Sequence, residues 1–165
     1  MKCWFLTIIT LFVVSFAIAG DPDYDPSQDD PLLHADVVLR GRVVSNTTLK
    51  TRISEWCIGG PELEAVQHEV LSVWIEVAEV LRGDIDSTRI EVFFWNLVFD
   101  YCRPGDELIV AADITPVNGR LLVGETRGLI VPRDGGWLQV GAARTWSDVA
   151  LRSTIEKRVY SGPSN

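Results

Sequence analysis

"VLSVWIEVAEVLRGD", Val70 to Asp84, can be wound or stretched, and the choice sets the class of the protein. As a helix it would line one face with Leu71, Trp74, Ile75 and Ala78. Extended, it puts Leu71, Val73, Ile75 and Val77 on one side and Ser72, Trp74 and Glu76 on the other. The density of β-branched residues favours the pleated form, and Gly83-Asp84 closes the run as a turn. The stretch therefore predicts a long strand. Its alternation changes phase after Val77, where Ala78 and Val80 become the inward residues and Glu79 the outward one. A β-bulge at that point would produce the slip and curl the sheet.

Strand texts extend in both directions. Upstream, "ADVVLRGRVVS" sets Val37, Leu39 and Val43 against Asp36, Arg40 and Arg42, with Gly41 where a strand bends or another backbone comes close. Between the two strands, Asn46 to Glu69 reads as a long irregular connection holding at most a short strand near Leu49 to Ser54. Downstream, "TRIEVFFWN" places Ile90, Val92 and Phe94 on one face, and "RPGDE" turns the chain into "ELIVAAD". The Asn118-Gly119 pair predicts a tight hairpin before "RLLVG", and Asp134-Gly135-Gly136 separates "RGLIVPRD" from "GWLQVG". Ser147 to Val159 is the one convincing helix, with Ser147 as its cap and Leu151, Ile155 and Val159 on one side. A single layer of strands cannot hide both of its faces. The expected class is all-β, a small barrel of five to seven antiparallel strands with a C-terminal α-helix against it.

The amino terminus points to export. One lysine precedes an apolar run from Cys3 to Ala19 that ends Ala17-Ile18-Ala19, the layout of a secretory signal peptide over residues 1–19. The run falls a little short of the roughly 20 residues of a membrane span, although an uncleaved anchor is the competing reading. Removal of Lys2 with the signal leaves 14 of the 15 basic residues against 23 acidic ones, a net charge of −9. Such a surface repels phosphate backbones, so no nucleic-acid partner is expected. The next stretch, "DPDYDPSQDD" (Asp21–Asp30), spaces its acids like a calcium loop. Pro26 stands where the sharp turn needs glycine, and Leu32 where the loop needs a bidentate Glu. Residues 20–33 are accordingly expected to be a disordered acidic, Pro-rich linker, residues 34–160 the folded domain and 161–165 a loose tail.

"ADVVLRGRVV", a long loop, "VWIEVAEVLRGD", "IEVFFW" and "CRPGDELIVAA" together resemble OB-fold barrels of the netrin-module kind, including the tissue inhibitors of metalloproteinases. The resemblance spans Ala35 to about Val131 and implies binding rather than catalysis. Those inhibitors present a cysteine at the mature N-terminus to the protease zinc, whereas the expected first residue here is Gly20.

Few residues offer chemistry. G-x-S-x-G, H-E-x-x-H, phosphate-loop and dinucleotide signatures are absent, so no enzyme activity, cofactor or metal is expected. Cys57 and Cys102 read first as a disulfide stapling the long loop to the turn after "IEVFFW". A reactive thiol or metal ligand beside His68 or His34 is the alternative. Trp74, Phe93 and Trp95 share the outward parity, either as an exposed aromatic strip or as the floor under the C-terminal helix. Trp56, beside Cys57 in the long loop, is the first candidate for anchoring a partner. "NTT" at Asn46 is a glycosylation sequon. The expected function is an exported, secreted or periplasmic, non-enzymatic binding domain that engages a protein or small ligand through its loop face. The alternative is a membrane-tethered structural or assembly component of the cell envelope, with membrane contact only if the signal segment is uncleaved. Mass spectrometry of the exported protein should find Gly20 as the first residue; full-length chain confined to membranes would favour the tethered form.

Overall fold

The computed structural model describes residues 30–56, 67–95 and 98–157. A short helix α1 (Pro31–His34) precedes the strands β1 (Val37–Arg52), β2 (Gln67–Arg82), β3 (Arg89–Phe94), β4 (Glu107–Ile114) and β5 (Leu121–Val123). Strands β6 (Leu129–Arg133), β7 (Gly136–Gln139) and β8 (Arg144–Trp146) follow, and helix α2 (Asp148–Glu156) closes the described chain. All eight strands belong to one sheet, ordered β1-β2-β3-β5-β4-β6-β7-β8, with β1 also paired to β4. The pairs β1–β2, β2–β3, β3–β5, β5–β4 and β4–β1 thus form a closed ring, from which β6, β7 and β8 run on as an extension.

The protein is all-β with a C-terminal helix, as its alternation predicts, but two details differ. The described residues form eight strands, because Arg144–Trp146 pairs with β7 in a stretch too short to show a period. The ring is not wholly antiparallel either, since β3 and β5 run parallel, Val92 opposite Leu121 and Phe94 opposite Val123.

Val70 to Leu81 is extended throughout, within β2. Across β1–β2, Arg40 faces Glu79 and Gly41 faces Val77, so Ala78 is the extra residue of a bulge where the alternation changes phase. Of the three assignments there only that of Ala78 differs, since Val80 lies opposite the inward Leu39 and Glu79 opposite the outward Arg40. Ala78 is exposed on the bulge. Glu79 turns toward α2 and takes a bidentate pair from Arg152, at 2.7 and 2.9 Å. That guanidinium holds the Glu79 carboxyl below its ordinary pKa. Gly41 faces the bulge, where a Cβ would press into the Glu76 carbonyl and the Ile75 side chain. A glycine is required by this close approach of two strands.

The connection from Asn46 to Glu69 is less irregular than its composition suggests. The β1–β2 ladder continues through Leu49 opposite Val70 to Arg52 opposite Gln67, and a 3-10 turn, Ile53–Glu55, follows. Asn46 to Arg52 is polar except for Leu49 and mostly exposed, so this end of the ladder leaves no apolar period to read. The Asp134-Gly135 turn has positive φ at both residues, 49° and 79°, the geometry that a two-residue hairpin demands. The Asn118-Gly119 turn is wider: the Thr115 amide donates to the Arg120 carbonyl, and Gly119 bonds back to Thr115.

Three apolar clusters hold the fold. Inside the ring, Val37, Leu39 and Val43 of β1 meet Leu71, Val73 and Ile75 of β2 and Leu108, Val110 and Ala112 of β4. Val98 and Cys102, from the segment between β3 and β4, plug one end. Outside the ring, Leu151 and Ile155 of α2 and Leu32 of α1 cover Val38, Ile109, Ala111 and Ile130. This second layer explains "VVL" and "LIVAA": strands buried on both faces lose the polar half of their alternation. The third cluster joins Trp56, Val70 and Phe93.

The end of the expected linker is docked. Asp30 caps α1 by accepting from the Leu32 amide, and its carboxylate also accepts from Gln139 Nε2 at 3.0 Å and pairs with Arg144 at 3.2 Å. Asp30 is 5 % exposed and Leu32 fully buried, so the folded domain reaches back at least to Asp30, ahead of the expected His34. Residues 20–29, the rest of that linker, the signal segment and Val159 lie outside the described residues. The Ser147 cap is present, its Oγ accepting from the Ala150 amide.

Replacing Gly41 by Ala should lower stability by about 1–3 kcal/mol through overpacking. Gly124→Ala, where a Cβ meets nothing within 4 Å, should stay within about 0.5 kcal/mol; urea unfolding of the two variants checks the contrast.

Candidate functional site

The aromatic residues singled out from the sequence separate into a buried group and an exposed one. Trp56 is 1 % exposed. Its indole leaves the 3-10 turn after β1 and lies edge-on against Phe93, ring centroids 4.7 Å apart at 62°. Its Nε1–H donates to Thr51 Oγ1 at 2.9 Å, and that hydroxyl donates to Glu55 Oε2 at 2.9 Å. Truncating a buried aromatic of this kind costs about 3–5 kcal/mol. Trp56 therefore works as a cover for the outer face of β2 and β3, which corrects its expected role as an exposed anchor.

Phe93 is correspondingly buried, under Trp56 and not under α2. The C-terminal helix covers a different part of the outer face, over Val38, Ile109 and Ala111. Trp95 is half-buried at the rim of the Trp56 cluster and stacks on His68, centroids 5.1 Å apart. Trp74 alone of the four stands open, at 36 % exposure, with the Arg89 guanidinium 5.3 Å from its ring centre.

The β4–β5 hairpin meets the segment after β1. Asn118 Nδ2 donates to the Glu55 carbonyl, and the Arg120 guanidinium sits 5.3 Å from the Trp56 ring centre and 5.2 Å from that of Phe93. These cation–π contacts and the amide bond clamp one loop to the other. Beyond the clamp the hairpin presents Val117 at 47 % and Ile114 at 51 % exposure. Sequence reading found Trp56 and the Asn-Gly turn but not their meeting, which joins residues more than sixty positions apart. No local period encodes such a contact.

Cys102 carries a free, fully buried thiol. Burial, helped by the Asp106 carboxylate, pushes it up to about 12. Cys57, the other half of the expected disulfide, lies outside the described residues. Asn46, the sequon asparagine, is half-buried in β1 and donates its Nδ2 to the Cys102 carbonyl at 2.6 Å. The sequon nitrogen thus ties the plug at the end of the ring to the wall.

The described cavities are open and shallow in chemistry. The one beside β6 and β7, about 340 Å³, has Asp100, Asp106 and Glu107 at its mouth. Those acids already engage neighbours: Asp100 pairs with Arg103, Asp106 accepts the Arg103 amide, and Glu107 pairs with Arg40. His68 belongs to the aromatic rim rather than to these carboxylates. Among the described residues no group of three or more His, Cys, Asp or Glu is placed to hold a metal ion, and no helix is long and apolar enough to cross a membrane. No protein-family profile matches the chain, and the search of curated proteins finds no match.

A thiol held near pKa 12 is almost wholly protonated at pH 8. Native protein at that pH should leave Cys102 unalkylated by iodoacetamide, and denaturant should expose it to reaction. Peptide mass mapping of the Cys102 fragment without reductant reads the difference.

Proposed function

We propose that the chain is an exported, non-enzymatic binding domain whose ring of strands is an OB-type barrel. Its loop end, where the β4–β5 hairpin meets the segment after β1, engages an extracytoplasmic protein. The barrel assignment is supported by the ring order and by closure through the parallel β3–β5 pair. The resemblance of the strand texts to netrin-module barrels agrees with it. Export rests on the layout of residues 1–19.

The observation that carries the binding surface is the clamped hairpin. Asn118 and Arg120 fix its base to Glu55 and Trp56, while Val117 and Ile114 remain in solvent. Apolar side chains held open on a rigid support bind at a smaller entropic cost than the same side chains on a free loop. Trp56 serves the surface from beneath, as the buttress of the clamp, and its neighbour Cys57 begins the stretch that returns to β2.

Placing a photo-crosslinking amino acid at Val117 tests the surface against Val149, which is 80 % exposed on α2. Incubated with an extracytoplasmic extract, the mature chain should form one adduct of defined mass from position 117 and none from position 149. Equal adducts from both positions, or none from 117, would remove the loop-end assignment.

A further inference from the structure

The outer face of β1, β2 and β3 holds one open indole among polar side chains laid out in rows. Arg42, Glu76 and Arg89 lie opposite one another across the three strands, and Ser45, Trp74 and Glu91 form the next row. Arg42 and Glu76 are exposed and, although cross-strand neighbours, form no ion pair among the described residues. Glu91 accepts from the buried Ser72 hydroxyl, which fixes its carboxylate beside Trp74. Arg89 leans on the indole from one side.

We propose that this face binds an uncharged oligosaccharide, stacked on Trp74 and hydrogen-bonded by Arg42, Glu76 and Arg89. A pyranose ring has a C–H face that suits an indole, and a rim of hydroxyls that each donate and accept. Guanidinium forks and carboxylates meet adjacent hydroxyls two at a time. Here the forks and carboxylates are already spaced by the sheet, and the uncommitted ones have no internal partner to give up. The two arginines and two glutamates of the rows cancel in charge, so a charged ligand gains little from them. The chain's net charge of −8 further disfavours phosphorylated ones. A protein partner fits this face less well, because Glu76 and Glu91 flank Trp74 and the cores of protein interfaces are depleted in Glu. None of these residues belongs to the clamped hairpin, so the glycan site stands or fails apart from the protein-binding reading.

The test follows the indole Nε1–H signals of the mature chain by NMR while maltohexaose, cellohexaose, xylohexaose or chitohexaose is raised to about 10 mM, a range that captures a Kd near 1 mM. One of these sugars should move the Trp74 signal saturably. Trp74→Ala should then weaken binding of that sugar at least about tenfold, read from backbone amide shifts, and Val149→Ala should not change it. Glu76→Gln, a surface change that leaves the indole in place, should weaken it too and serves if Trp74→Ala does not fold. No saturable movement with any of the sugars, or equal affinity in both site variants, would overturn the proposal.

Discussion

One strand has to serve two neighbours. β1 pairs with β4 from Val37 to Arg42 and with β2 from Val38 to Arg52, and the ring cannot close unless it bends between those duties. Gly41 and the bulged Ala78 supply the bend together. The glycine lets the β2 backbone approach, and the extra residue absorbs the difference in path length. Everything inward follows from that closure. It turns Val37, Leu39 and Val43 toward the β2 and β4 side chains, and it leaves Val38 facing the other way, available to α2.

The bulge also decides how the helix docks. A regular β2, continuing Leu71, Val73, Ile75 and Val77, would have sent Glu79 into the ring. With the register shifted, Glu79 instead meets Arg152, which Asp148 holds from the same helix at 2.9 Å. Asp148 in turn accepts from Trp137 Nε1, and Arg40 lies over that indole, so the helix is joined to β1, β2 and β7 through one chain of polar contacts. The pairs are partly exposed and individually modest. Their value lies in orienting a short helix whose buried face has only Leu151 and Ile155.

Much of this architecture was legible in the sequence because it is written in periods. Alternation in Val37–Val43 and Leu71–Val77 marked the ring wall, the phase change marked the bulge, and Ser147 marked the start of α2. What stayed hidden is carried by contacts between distant residues. Trp56 reads as a partner anchor because it lies beside Cys57 in the long loop; its burial depends on Phe93, Val70 and Arg120, which no local pattern links to it. β8 is three residues long, and no period shows in three residues. The parallel β3–β5 pair follows from a chain path, not from any single stretch. The candidate surfaces were only half readable for the same reason. Outward parity of Trp74 and Phe93 was correct, but only the fold shows that one is covered and the other open.

Asp30 also orders events in time. Its partners, Gln139 and Arg144, lie 109 and 114 residues further along the chain. A polypeptide made from its N-terminus delivers the hook more than a hundred residues before the eye. The ring wall can assemble while the hook waits, but α1, β7 and β8 lock only after Arg144 has emerged. Until then Leu32 and the apolar side of β4 lie bare in the same interval, a window that a holdase would have to cover.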